Sequence, residues 1–534
     1  MRSTLILAAV VLTALWSFPA PAEEDAAIEA LARRAAVQYE NVPRKVLAFY
    51  YPWYGNAGVP GGSGRWSHWQ GVDEKERQIA SSTHYPELGP YDSHDPKTIE
   101  KHAEWSKQAG LDGWIVSWWG SGDFTDRAMG RILDACRNAG LEVTVYYETV
   151  RGDKTPENAA REIVDLLTAY AKHPAWLRLD GKPVVFIYGR AVGELGLSGW
   201  LSAIDQVNRQ YEGGAVLLGD QMSRAAARVF DGIHTYNTVG SLAGRDVHGV
   251  KTWCEETFPE WVALAARRRR ISTLTLIPGY DDTKIRKPGI AAARFEGESY
   301  RAQWEAAIAA LPDWVLITSF NEWHEGSEIE PSAEFGHKYL ELTAEFAARF
   351  KKAPARPPAE RPKPKAPLTE KQQAALGKLR GAGVGLLPGA DLDLLLWLLE
   401  QGVQPRSLSP AGTAGLDEAA ARQMPILVYA GDETLEHGTE RPGEVLDGLR
   451  RYLQGGGLLV CLPTGPMPMY YDRDRNVVDG ARRIGLPLAV GGPRGGWERP
   501  PQGKTLKIVR AAGYLENLPA EFPFPDQDPR WRPL

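Results

Sequence analysis

Cysteine is nearly absent from this chain: Cys136, Cys254 and Cys461 are the only three in 534 residues. They are too few and too scattered for a disulfide framework or a CxxC metal pattern, so the fold must stand on its core. Charge of one sign is lacking too. With 62 Lys and Arg against 67 Asp and Glu, the net charge of -5 supplies no field that would draw a polyanion, and the short basic run Arg267 to Arg270 sits in a helical pattern. Nucleic acid is therefore not an expected partner. Long apolar runs are missing except at the N-terminus, where Leu5 to Trp16 falls short of the roughly 20 residues that span a bilayer. Arg2 precedes that run and Ala20-Pro21-Ala22 follows it, which is the pattern of a secretory signal cleaved after residue 22. The expectation is a secreted or periplasmic protein with no membrane span after signal cleavage. No cysteine follows the cleavage site, so nothing there points to a lipid anchor.

Aromatics are plentiful, with 18 Trp and 20 Tyr. Flat apolar faces edged by polar groups are surfaces on which pyranose rings stack, which makes an oligo- or polysaccharide the first substrate class to consider. At 43% hydrophobic and 24% charged residues the chain is globular and long enough for two or three domains.

From Lys45 onward, strand-like and helix-like segments alternate. The expected strands are Val46 to Tyr51, Gly113 to Ser117, Glu142 to Tyr147, Pro183 to Tyr188, Ala215 to Gly219, Gly232 to Tyr236, Thr273 to Ile277 and Trp314 to Ile317. Amphipathic stretches lie between most of them: Ile99 to Ala109, Ala128 to Ala139, Asn158 to Ala171, Trp253 to Arg269 and Tyr300 to Leu311. This alternation predicts an α/β fold, a (β/α)8 TIM barrel over residues 44–352, closed by a helix near Phe335 to Lys352. A proline-rich linker, 353–370, then leads to a small α/β domain, 371–534. In that domain Asp391 to Leu399 and Leu446 to Gln454 read as helices, and Ile426 to Ala430 and Gly457 to Leu462 as buried strands. Its stretch Gly455 to Val460 resembles the sheet core of glutamine-amidotransferase-like domains. Cys461, however, lacks the G-x-C-x-G elbow that would expose a nucleophile, and reads as a buried structural thiol.

In a barrel of this kind, functional residues sit just past the C-terminal ends of the strands. Those positions hold Tyr51, Trp53 and Tyr54, then Trp118 and Trp119, Glu148, Tyr188, Asp220, Tyr236 and Tyr280 to Asp282. The densest patch follows the last strand, in DWVLITSFNEWHEGSEIEP at 313–331. There an apolar run gives way to Asn321, Glu322, Trp323, His324, Glu325, Glu328 and Glu330. Acids beside aromatics at a strand end point to a sugar site. A metal site built from His324, Glu325 and Asp281 is the competing chemistry, although His324 has no histidine partner at i+4 and the chain has no HExxH, so no metal and no cofactor is expected. A third reading keeps the aromatic cleft as a catalytically inactive glycan-binding barrel.

FNEWHEGSEIEP at 320–331 resembles the active-site motif of glycoside hydrolase family 99, the endo-α-mannosidases and mannanases. YYPWYGN at 50–56, WSHW at 66–69, VSWW at 116–119 and PGYDDTKIR at 278–286 support the likeness. It covers about residues 44–350 and leaves the C-terminal domain outside. The resemblance implies an endo-acting, retaining enzyme on α-mannosidic linkages of α-mannan or a mannose-containing glycan. It also implies that Glu322 is a base, that Glu325 is the general acid/base, and that Trp118, Trp119, Glu148, Tyr188 and Tyr236 line the sugar subsites. Tyr51, Trp53, Tyr54, His68, Asn321 and His324, within the same motifs, complete the expected substrate-binding set. VSWW carries Trp119 where some relatives have Tyr, so the preference of the -2 subsite does not carry over.

Two acids three residues apart on one loop differ from the usual retaining pair, which comes from separate strands and flanks the anomeric carbon. From one side, one carboxyl can serve the leaving oxygen while the other reaches the neighbouring 2-hydroxyl. The sugar's own O2 then becomes the nucleophile, through a 1,2-anhydro intermediate that the family is thought to use. Such attack needs O2 anti to the leaving group. The axial 2-hydroxyl of an α-mannoside already is, whereas that of an α-glucoside is not.

Overall fold

The computed structural model describes residues 30–31, 33–357, 368–387, 392–408, 410–429, 443–461, 483–484, 505–507 and 521–523. The expected signal segment, 1–22, and the centre of the proline-rich linker, 358–367, lie outside these residues. The chain divides into two compact units, one spanning Ala27–Pro364 and the other including Lys365–Leu534. Among the described residues no helix is long and apolar enough to cross a membrane.

The first unit is built on eight parallel strands: β1 (Lys45–Tyr50), β2 (Gly113–Trp118), β3 (Glu142–Tyr147), β4 (Lys182–Ile187), β5 (Val216–Asp220), β6 (Gly232–His234), β7 (Ile271–Leu276) and β8 (Trp314–Ile317). Each pairs with its successor, and β8 returns to β1 with Lys45 opposite Trp314 and Ala48 opposite Ile317. The sheet is thereby closed into the expected (β/α)8 barrel. Its strands are buried on both faces, which is why GWIVSW in β2 and WVLI in β8 read as unbroken apolar runs.

Helices α1 (Pro96–Gln108), α2 (Phe124–Ala139), α3 (Pro156–Tyr170), α4 (Gly189–Gln210), α5 (Ala226–Val229), α6 (Val247–Ala266), α7 (Glu298–Ala310) and α8 (Lys338–Lys352) complete the β/α units. Local chemistry fixes several of their ends. Asp95, Asp123 and Thr155 cap α1, α2 and α3 with side-chain acceptors, and proline opens α1 and α3. Gly140 ends α2 in the left-handed region, at φ 72°. Several boundaries differ from the sequence expectation, two of them for clear local reasons. Helix α6 begins at Val247, where Asp246 caps it, rather than at Trp253, and α8 begins at Lys338 because a turn closed by Gly336 on Ser332 holds the preceding residues out of the helix.

The barrel interior is filled by alternate residues of the strands, among them Leu47, Phe49, Ile115, Tyr146, Phe186, Leu218, Trp314 and Leu316. The other set faces the helices, where Tyr50 stacks on Trp114 at 4.1 Å. Toward the C-terminal ends of the strands, the interior register carries Ser117 at the end of β2, and Tyr51 and Glu148 just past β1 and β3, to the mouth. This alternation decides which predicted residues can meet.

In the second unit four strands among the described residues form a parallel sheet in the order β10 (Arg406–Ser407), β9 (Val384–Leu386), β11 (Ile426–Tyr429), β12 (Leu458–Cys461). Leu427 and Tyr429 belong to one core and Val428 to another, so apolar side chains cover both faces of the sheet. β9 and β10 escaped the sequence reading because runs of three and two residues carry no periodicity. Ala430 and Leu462, the expected ends of two strands, lie outside the described residues. Cys461 is half-buried, not buried as expected; among the described residues β12 is the last strand of its sheet.

Candidate active site

Past β8 the chain folds back on itself. Ser319 N–H donates to Ser327 O at 2.8 Å, Ile329 N–H to Ser319 O at 2.9 Å and Glu330 N–H to Phe320 O at 2.9 Å, so residues 319 and 330 bracket a tight loop. Phe320 N–H reaches Phe49 O at 2.8 Å, and the fully buried Asn321 amide clamps the Tyr51 peptide, accepting from its N–H at 2.8 Å. Opposite, Asp281 N–H donates to Glu325 O at 2.7 Å, and Gly326 holds φ 55° where any Cβ would lie 3.3 Å from Asp281 O. The loop that carries the acids is thus fastened to the strand ends on both sides.

The four glutamates of the patch divide into two pairs. Glu328 pairs with Arg294 at 2.7 Å and His84 at 2.8 Å; burial would push its carboxyl up, but the Arg294 charge and the hydrogen bond to His84 outweigh it and hold the carboxyl below its usual range. Glu330 accepts from Tyr91 at 2.9 Å and Trp323 Nε1 at 3.1 Å, with His102 at 3.0 Å. These two hold the loop from beneath. Glu322 and Glu325 do not share that role.

Glu322 is 2% exposed. Its Oε1 accepts from His324 N–H at 3.1 Å and faces the Tyr54 hydroxyl at 3.4 Å, while its Oε2 is buried with no hydrogen-bond partner among the described residues. Burial first, and then the charge of Glu325, push this carboxyl well above the usual range. Glu325 is held on both oxygens: Tyr236 donates to Oε2 at 2.9 Å, and both terminal nitrogens of Arg286 reach Oε1 at 3.2 Å. Arg286 is itself anchored by Asp282 at 2.6 Å.

Around the acids the barrel mouth is aromatic. Trp53 lies flat on His68 at 4.6 Å and beside Tyr51 at 4.6 Å, and Tyr188 and Tyr51 both meet Tyr236 edge-on at 6.0 and 6.4 Å. Glu148 accepts from Ser117 Oγ at 2.7 Å, and burial pushes it up to about 7. Arg190 stacks over Trp119 at 5.0 Å and Tyr188 at 5.5 Å, joining these residues across the mouth. Asp220 accepts from the Tyr146 hydroxyl at 2.9 Å, the Gly189 N–H at 3.1 Å and the Tyr236 N–H at 3.2 Å, and burial pushes it up to about 6.

The structure therefore gathers Tyr51, Trp53, Tyr54, His68, Trp119, Glu148, Tyr188, Tyr236, His324, Glu322 and Glu325 at one end of the barrel. It does not bring Trp118 among them. Ser117 takes the interior register, so the next residue faces the helices, where the Trp118 indole donates to Asp126 at 2.8 Å and lies beside Tyr147. The metal grouping is not assembled either: His324 Nε2 is on the His68 carbonyl at 2.8 Å, Glu325 on Tyr236 and Arg286, and Asp281 on Thr283 at 2.6 Å. Among the described residues no set of three His, Cys, Asp or Glu side chains is placed to hold a metal ion.

Arg286 and Ser117 escaped the candidate ligands, and Asp220 was named at its strand end without a role. Asp282 and Arg286, four apart just past β7, are an ion-pair spacing that could have marked the arginine. Nothing in the sequence links it to Glu325, 39 residues on.

The family described as Glycosyl hydrolase family 99 matches the chain over residues 41–343. The glycoprotein endo-alpha-1,2-mannosidase of Mus musculus is 28% identical over 378 residues, covering 60% of this chain and 79% of its own. The glycoprotein endo-alpha-1,2-mannosidase-like protein of Homo sapiens is 28% identical over 374 residues, covering 59% and 78%. Among solved structures, the GH99 endo-alpha-mannosidase from Bacteroides thetaiotaomicron aligns at 26% identity with a TM-score of 0.49, over 58% of this chain and 99% of that one.

Proposed function

The chain belongs to glycosyl hydrolase family 99, and from that premise we propose that it cleaves internal α-mannosidic linkages with retention, through a 1,2-anhydro sugar, with Glu322 as base on the 2-hydroxyl and Glu325 as general acid/base. Endo-acting hydrolysis of mannosides is the activity of the family. The finer assignment rests above all on the asymmetry of the two carboxyls: Glu322 Oε2 is buried without a partner among the described residues, whereas both oxygens of Glu325 are held. A buried carboxyl with one oxygen free is prepared to take a proton, and its raised pKa suits a weakly acidic sugar hydroxyl.

In the first step Glu322 takes the proton of the 2-hydroxyl and O2 bonds to C1. The bond from C1 to the leaving oxygen breaks, and Glu325 gives its proton to that oxygen. In the second step Glu325 takes a proton from water, whose oxygen bonds to C1 from the face the first leaving group occupied. The C1–O2 bond breaks and O2 recovers its proton from Glu322. Two inversions at C1 leave the configuration retained. Tyr51, Trp53, Trp119, Tyr188 and Tyr236 would supply the faces on which sugar rings stack, with Glu148, His68 and His324 as polar contacts at the rim, whereas Tyr54, fully buried and stacked on Trp69 at 4.1 Å, presents only its hydroxyl, toward Glu322. Asn321 would hold the Tyr51 end of this wall.

We take residues 1–22 as a secretory signal and 371–534 as an accessory α/β domain of the amidotransferase-like type beyond a proline-rich linker. The parallel sheet supports the second of these.

The test is a substrate with fluorine or hydrogen in place of the 2-hydroxyl at the cleaved residue. It removes the nucleophile itself, so cleavage should vanish and mass spectrometry should find no adduct. A fluoroglycosyl adduct on Glu322 would overturn the assignment, since it would make that carboxylate the nucleophile. Opening of a synthetic 1,2-anhydromannose by the wild type but not by Glu325→Gln would complete the case.

A further inference from the structure

Between the two acids lies a histidine whose hydrogen bonding determines its tautomer. His324 Nε2 is 2.8 Å from the carbonyl oxygen of His68. A carbonyl can only accept, so Nε2 carries the hydrogen. Burial, with Arg286 adding to it, pushes the His324 imidazole below its usual range, which favours the neutral ring, with a lone pair on Nδ1. That nitrogen is 3.5 Å from Glu322 Oε1.

The His68 carbonyl is itself held in place. His68 occupies the left-handed region at φ 62°, uncommon for a residue with a side chain, and its ring is pinned flat on Trp53 at an interplanar angle of 4°. Ser81 Oγ adds a second donor to the same carbonyl at 3.3 Å. A backbone conformation retained against its intrinsic preference, and one that aims an acceptor at His324, marks the pair as built for this contact.

We infer that His324 is a positioning residue for the base: fixed by His68 as its Nε2–H tautomer, it turns a lone pair toward Glu322 and favours the carboxyl's protonated state. The physics is local. A carboxylate oxygen facing a lone pair is repelled. Once Glu322 has taken a proton, Oε1 either carries it and donates to Nδ1, or becomes a carbonyl oxygen of smaller charge. Either outcome relieves the repulsion, so the imidazole strengthens Glu322 as a base while Oε2 stays free for the sugar. The inference rests on the role proposed for Glu322, but the tautomer can be measured without any substrate. The other titratable groups facing the pair are Tyr51, Tyr54, Tyr236, Glu325, Arg286 and His68.

His324→Gln separates the two duties, because the Gln amide nitrogen can still donate to the His68 carbonyl while the lone pair at the Nδ1 position is lost. The acid limb of kcat/KM against pH should move about one unit lower, and the plateau should fall about tenfold, the two being linked by the weaker base. The melting temperature should hold. An acid limb that stays in place or moves upward overturns the inference and leaves His324 as a loop tie only. Nitrogen NMR of the wild-type histidines, with His324 assigned by through-bond correlation of its ring to its own backbone, should show Nε2 protonated and Nδ1 bare. The opposite tautomer overturns the inference even if the variant fails to fold. If the protein cleaves no α-mannoside, the proposed function fails and the NMR result alone decides the tautomer.

Discussion

Tyr236 donates its hydroxyl hydrogen to Glu325 Oε2 at 2.9 Å, while its backbone N–H, at the other end of the residue, is held by Asp220 at 3.2 Å. Tyr236, two residues past the sixth strand, thus links an acid at the barrel mouth to the proposed acid/base on the loop after the eighth. Tyr236→Phe removes the hydroxyl and leaves the backbone ties. A side-chain hydrogen bond contributes about 0.5–1.5 kcal/mol, so kcat/KM should fall by about 2- to 10-fold. Steady-state kinetics beside a melting curve would check this; a large loss of stability with kinetics intact would put Tyr236 in the core and not in the site.

Glu325→Gln should nearly abolish turnover on substrates with poor leaving groups and largely spare an activated glycosyl fluoride, because fluoride departs without a proton. General acid catalysis contributes about 10²- to 10⁴-fold, which bounds the difference between the two substrates. Equal losses on both would count against the acid role. Some loss on the fluoride is expected because the later base step is missing too.

Glu148 offers a pH test that needs no substrate. Burial raises its folded pKa from 4.5 to about 7. Between those values the folded state keeps a proton that the unfolded chain has released, so the unfolded state binds fewer protons and stability falls as pH rises through this window. Glu148→Gln removes that dependence. Chemical denaturation at a series of pH values should show the variant gaining on the wild type as pH rises from about 4.5 to about 7; a constant difference would mean the carboxyl is not shifted.

Cutting the chain near Pro364, within the proline-rich segment, should leave a soluble and active barrel, because the two compact units divide there and few contacts cross linkers of this composition. Activity on α-mannosides and a cooperative melt of the truncated protein are the readouts. A folded but inactive fragment would show that the second unit contributes to the site.

The barrel was legible in the order of residues because β2 and β8, GWIVSW and WVLI, are apolar on both faces and sit between helical periods. The clustering of acids and aromatics at strand ends was legible for the same reason: position along a strand is a property of the sequence. Which side of the strand a residue takes was less so. Trp118 and Ser117 are neighbours, and a period of two sends the serine to Glu148 and the indole to Asp126 on the helical side. Short elements such as Arg406–Ser407 left no periodic trace at all.

What the sequence by itself determined is therefore the alternation, the motif and the presence of four glutamates within nine residues, 322 to 330. Only the tertiary structure decided which two of them serve as braces. Arg294 and His84 reach Glu328 from 34 and 244 residues away, and His102 reaches Glu330 from 228. The same holds for Arg286 on Glu325 and the His68 carbonyl on His324. Charge and burial depend on distance in space, and closing an eight-stranded barrel brings together residues whose separation along the chain carries no record of their meeting.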